Sequence, residues 1–157
     1  MGTRSRIGVM HGEVVKSVYC HWDGYLSNNG RILLENYDSA QANNLVALGD
    51  ISSLGLEIGE KHAFSRLDTG MSMEEYETLY GNMTTFYGRD REEENVEWKV
   101  AHSFDEFLEQ VDNCGAEYYY IMRDGVWYAG CIYQVDGLDT RGLVRLDEAM
   151  ESIKEAA

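Results

Sequence analysis

Tyr19-Cys20-His21-Trp22-Asp23-Gly24-Tyr25 gathers a thiol, an imidazole, a carboxylate and three aromatic rings close together in the chain. A Cys beside a His is the pairing from which a nucleophile and its base can be built. On the extended chain expected here, however, neighbours point to opposite faces, so Cys20 and His21 cannot readily hydrogen-bond each other or share a metal. The preferred reading of the same residues is a strand end, with Cys20 and Trp22 in the core and His21 and Asp23 leading into a turn at Gly24. Phe86-Tyr87-Gly88-Arg89-Asp90-Arg91 is the second candidate. Two arginines can clamp a phosphate or carboxylate through paired N–H donors, or they can simply neutralise Asp90 and the glutamates that follow. Arg4, His21, Asp23, Arg89 and Arg91 would form one anion site if folding brought the N-terminal strand to the second loop.

Other signals for chemistry are sparse. His11, His62 and His102 are scattered without metal-ligand spacing. Cys20, Cys114 and Cys131 lie far apart with no C-x-x-C, which favours reduced, buried thiols over a disulfide framework or a zinc ribbon. G-x-G-x-x-G, P-loop and G-x-S-x-G motifs do not occur. No cofactor and no metal is expected.

The chain holds 28 acidic residues against 13 Lys and Arg, a formal net charge of −15. Such a surface repels phosphate, which argues against nonspecific binding of DNA or RNA. The charge is uneven: residues 68–117 hold fourteen acids against Arg89, Arg91 and Lys99, whereas residues 1–37 are almost neutral. Glu92, Glu93, Glu94, Glu97, Asp105, Glu106, Glu109 and Asp112 are the candidate acidic binding face. Eleven tyrosines add a second candidate surface. Tyr118 and Tyr120 should share one face of a strand, with Tyr128 on its partner strand, and tyrosine gives large contact area at little entropy cost. The same residues would serve as cross-strand aromatic pairs.

The elements that must position these residues follow from periodicity and punctuation. Ser5–Met10 and Val14–His21 read as a β-hairpin. Helical spacing begins after Asn28, and a second helix, begun by Ser39, runs to Leu48 before Gly49. Residues 51–70 read as loop with one short element. Ser72 with Glu75, and Ser103 with Glu106, are capping-box signatures ahead of helices carrying Met73, Tyr76 and Tyr80, and Phe104, Phe107, Leu108 and Val111. Val96–Ala101 alternates as a strand. Asp124-Gly125 between Glu117–Met122 and Val126–Gln134 predicts a hairpin, and a last helix starts near Leu143. The expected fold is one α+β domain over residues 1–157, a mainly antiparallel sheet with helices packed on one face. No apolar run approaches the roughly 18 residues of a membrane span, and the start lacks a signal peptide's apolar stretch, so a soluble, cytoplasmic protein is expected.

Thr3-Arg4-Ser5, the Y-C-H-W-D-G-Y string, Gly30, Leu33, Tyr37, Leu48-Gly49-Asp50, Ser52-Ser53-Leu54-Gly55, Tyr87-Gly88-Arg89-Asp90-Arg91, Ala116-Glu117-Tyr118 and Val126-Trp127-Tyr128 together resemble a family of small acidic proteins of tailed-bacteriophage and prophage genomes. Residues 63–83 and the chain beyond Gln134 fall outside the likeness. The resemblance implies a phage-encoded, non-structural protein acting in a bacterial cytoplasm, and it assigns no catalytic residue.

Three functions remain in view. The first is a non-enzymatic binder that inhibits a host defence or nucleic-acid-handling protein, including an anti-CRISPR role, by presenting a DNA-like negative surface. The second is a small enzyme or nucleotide-binding protein using Arg4, His21, Asp23, Arg89 and Arg91 on a phosphorylated ligand. The third is a purely structural or homo-oligomeric accessory protein, such as a homodimer, with the tyrosine-rich hairpin as its self-association surface.

Overall fold

The computed structural model describes residues 2–135 and 137–156. The strands are β1 (Ser5–His11), β2 (Val14–Cys20), β3 (Ile51–Ser53), β4 (Thr85–Phe86), β5 (Lys99–Ala101), β6 (Tyr118–Arg123), β7 (Val126–Cys131) and β8 (Val144–Arg145). The helices are α1 (Arg31–Asn36), α2 (Ser39–Ala47), α3 (Met73–Tyr80), α4 (Tyr87–Arg91), α5 (Phe104–Asn113) and α6 (Leu146–Ala156). The strands join one sheet in the order β4-β3-β2-β1-β6-β7-β8, with β5 also paired to β2. Both expected hairpins form. Gly12, at φ 62°, opens the β1–β2 loop, and Asp124 and Gly125, at φ 51° and 78°, give the left-handed pair that a type I′ turn between β6 and β7 requires.

Most pairings are antiparallel, but β6 runs parallel to β1, with Ser5 opposite Tyr118 and Val9 opposite Met122. The outer edge of β2 is shared: Val15–Ser17 pair with β5, and Cys20 meets Ile51 of β3. Strand alternation then separates two cores. Ile7, Val9, Val18, Tyr120, Met122 and Trp127 face α1, α2 and α6, where Leu33, Leu45, Val46 and Leu146 pack on them. Met10, Val15, Tyr119 and Ile121 face α5, which presents Phe107, Leu108 and Val111. The α+β class with a mainly antiparallel sheet is observed, and three helices share one face as expected. The fourth packed helix, α5, covers the other face, because β1, β2 and β6 are apolar on both sides.

Local chemistry sets the helix starts. Asp38 accepts from Gln41 N while Gln41 Oε1 accepts from Asp38 N, so the cap of α2 lies one residue before the expected Ser39. Ser103 Oγ accepts from Glu106 N, and Glu106 reaches back to the amide of His102. Strand β5 is shorter than the expected Val96–Ala101. Of the residues expected as loop, Ile51–Ser53 form a strand and Arg66–Asp68 one helical turn.

Candidate functional site

The end of β2 divides the Y-C-H-W-D-G-Y cluster between the two sides of the sheet. Cys20 is fully buried, contacts Asn29 Nδ2 at 3.4 Å, and burial pushes its thiol up to about 11. That thiol is protonated and enclosed, the opposite of an activated nucleophile. Tyr19 and His21, two residues apart, share the other side, and Tyr19 Oη lies 2.6 Å from His21 Nδ1. Burial raises the Tyr19 phenol to about 12, and burial followed by the nearby charge of Arg4 lowers the basicity of His21. Both effects favour a neutral pair in which the phenol donates to the imidazole. Trp22 corrects the expectation of a core tryptophan: it is 44% exposed, with His21 edge-on at 4.7 Å. Asp23 is exposed at φ 55°, and its carbonyl accepts from Asn28 Nδ2 and Asn29 N. Gly24 is required by crowding, since a Cβ there would stand 2.8 Å from that of Ser5.

The second cluster is a structural knot. Asp90 is buried, and its carboxylate accepts from Phe86 N at 2.8 Å, His62 N at 3.1 Å, and Arg89 Nε and Nη2 at 3.0 and 3.2 Å. Arg89 also donates to the carbonyls of Ile58, Gly59 and Thr84 and stacks over Phe86. Its donors are thus committed to protein acceptors. Arg91 donates to Glu93 at 2.7 Å and lies against the rings of Phe64 and Tyr87. The charge of Arg4 acts on His21, but Arg89 and Arg91 are turned to carboxylates. The five residues expected to clamp a phosphate therefore do not act as one set, because acids next in sequence supply nearer partners. Among the described residues, no group of three or more His, Cys, Asp or Glu side chains is arranged to hold a metal ion.

The tyrosine-rich hairpin is also corrected. Tyr120 is fully buried, donates to Gly24 O at 2.6 Å, and cannot contribute to a surface. Tyr118 is half-buried on the same face, whereas Tyr128, half-buried opposite Ile121, lies on the other face with Arg123 over its ring. Pairing with β1 makes β6 an interior strand, a fact the hairpin pattern alone does not carry.

The eight carboxylates of the acidic block all reach the surface, although Glu106 is half-buried. Glu92 pairs with Lys61, Glu93 with Arg91 and Asp112 with Arg141, while Glu106 caps α5. Among the described residues, Glu94, Glu97, Asp105 and Glu109 have no ion-pair partner. Asp105, Glu109 and Asp112 stand at i, i+4 and i+7 on the exposed side of α5, opposite Phe107, Leu108 and Val111. Gln110 Nε2 donates to Val100 O at 2.9 Å and fixes the helix beside β5, which continues from the 92–97 segment. No family model, curated protein or solved structure matches the chain.

Proposed function

We propose that the protein is a non-enzymatic inhibitor that binds a basic, nucleic-acid-handling or defence protein of a bacterial host, in the cytoplasm, through α5 and the adjoining 92–97 segment. The observation that carries this reading is the exposed line of Asp105, Glu109 and Asp112 on a helix that contains no Lys or Arg; Arg141 neutralises Asp112 at one end, which leaves Asp105 and Glu109 as its uncompensated charges. The line spans about 10.5 Å, at a rise of about 1.5 Å per residue. Its charges rise about 5 Å apart along the helix axis, against roughly 3.4 Å of axis per phosphate of one DNA strand. Like charges at i, i+4 cost about 0.2–0.5 kcal/mol per pair, a repulsion that a cationic partner relieves. The likeness to small acidic phage proteins supports the host context. The phosphate-enzyme reading is less favoured, since Arg89 and Arg91 are engaged by Asp90 and Glu93.

The test is capture from host lysate by the immobilised protein and by an Asp105→Asn/Glu109→Asn variant, at low and high salt. One host protein should be retained by the wild type at low salt and lost in the variant and at high salt, where screening acts over a few ångströms. Equal capture by variant and wild type, or no salt dependence, contradicts the proposal.

A further inference from the structure

Residues 56–83 carry apolar side chains that neither core accepts. Leu67 is 81% exposed, Met73 58% and Leu79 54%. Helix α3 has no buried residue, although Met73, Tyr76 and Tyr80 recur at one face of it. That face is fastened by a few aromatic contacts: Tyr76 Oη donates to Ala63 O at 2.7 Å, and Tyr80 stacks on His62 at 5.1 Å. Between α3 and the preceding turn lies a depression of about 370 Å³ that includes Phe64, Leu67, Met73 and Tyr76. A second, of about 330 Å³, shares Phe64, Ser65, Tyr76 and Glu77 with it and reaches Trp22. The two adjoin across these shared residues, with exposed Leu67 and Met73 lining the first and exposed Trp22 the second, and are taken together as one groove.

The charge around the groove selects its occupant. Glu77 lines it, exposed Asp68 and Glu74 follow the lining residues Leu67 and Met73 in the chain, and the guanidiniums beside it are engaged: Arg66 donates to Met71 O at 3.3 Å, and Arg91, over the Phe64 ring, pairs with Glu93. A second copy of the chain would bring the same acids and another −15 of charge. A partner rich in Lys or Arg would be attracted instead, and apolar side chains in it would cover surface that water now wets. We infer that this groove receives a basic amphipathic peptide segment of a partner protein. Its apolar side chains seat along Phe64, Leu67, Met73 and Trp22, and its cations meet Asp68, Glu74 and Glu77. This is helix-in-groove recognition, with a few apolar anchors and a charged rim. The surface is separate from the acidic line of α5, and the inference stands without the function proposed for that line.

The probe is a fluorescein-labelled synthetic peptide of about 14 residues, with leucines at i, i+3, i+4 and i+7 and lysines elsewhere. Its binding to the full chain is read by fluorescence anisotropy. A control peptide of equal charge with serine for leucine should bind about tenfold more weakly, and Leu67→Ser/Met73→Ser should weaken the leucine peptide about tenfold. Asp105→Asn/Glu109→Asn should change it by less than about twofold. Both substituted groove residues are exposed, so an unchanged thermal melt verifies the fold of that variant. Equal binding of the two peptides, or unchanged affinity in Leu67→Ser/Met73→Ser, overturns the inference. So does a concentration-dependent dimer in sedimentation that this variant abolishes.

Discussion

Replacing Asp90 with Asn asks how much the knot around α4 contributes to stability. The carboxylate receives two hydrogen bonds from Arg89 and two from the backbone amides of Phe86 and His62. An Asn side chain keeps one acceptor oxygen and turns an NH2 group toward donors, leaving Arg89, whose side chain is only 14% exposed, without its counter-charge. Breaking a buried pair by removing one partner costs about 3–5 kcal/mol. Arg89→Met loses the same pair and the donors to Ile58, Gly59 and Thr84, each worth about 1 kcal/mol. In the double variant neither charge is stranded, so its cost should fall short of the sum of the single costs by about 2 kcal/mol or more. Urea unfolding followed by circular dichroism reads all three. With m near about 2 kcal/mol per M, Asp90→Asn should lower the midpoint by about 1.5–2.5 M. A loss below about 1 kcal/mol at unchanged m, or strictly additive single costs, would falsify the view that this pair staples the 58–62 loop to β4.

Three further outcomes follow from the geometry. In an NMR titration, His21 should protonate at a pH below that of a free imidazole, and Arg4→Gln should move its midpoint upward; an unmoved midpoint would separate the two residues. Burial raises the Cys20 thiol to about 11 and the Tyr37 phenol to about 12, whereas in the unfolded chain they ionise near about 8.5 and 10. The folded state thus keeps protons that the unfolded state sheds. Stability should be full below about pH 8 and decline through the alkaline range, and Cys20→Ala should delay the onset in urea titrations at stepped pH. Gly24→Ala should destabilise by about 1–3 kcal/mol in thermal unfolding, because its Cβ would crowd Ser5; a neutral result would mean the β2 exit yields easily.

Periodicity carries far where an element has one wet side. The stripe of Phe104, Phe107, Leu108 and Val111 and the two hairpin turns are written locally, and each forms where the pattern puts it. Strands β3, β4 and β8 are two or three residues long and owe their extended shape to neighbours, so nothing local marks them. Arg6 shows the same limit. It sits in an alternating strand that reads as half exposed, yet it is 2% exposed, with its guanidinium donating to the hydroxyl and carbonyl of Ser17. The acids of the candidate face are legible as a block, and the local pairing of Glu93 with Arg91 is too, but Lys61 and Arg141 reach Glu92 and Asp112 from distant parts of the chain. The groove along α3 is not legible in the sequence because Met73, Tyr76 and Tyr80 look like an ordinary core face, and only the fold shows that this face meets no more than the 62–64 segment and leaves Met73 exposed.

The parallel register of β1 against β6 also sets a timetable for the growing chain. Ser5–Val9 wait for partners about 110 residues downstream, which at roughly 5–20 residues per second takes about 5–20 seconds to synthesise. During that interval the first hairpin holds a bare, apolar edge on its central strand, the kind of edge that recruits other chains. Chains released before Tyr118–Met122 are made should therefore collect as aggregates, and slower synthesis should lengthen the hazard rather than ease it.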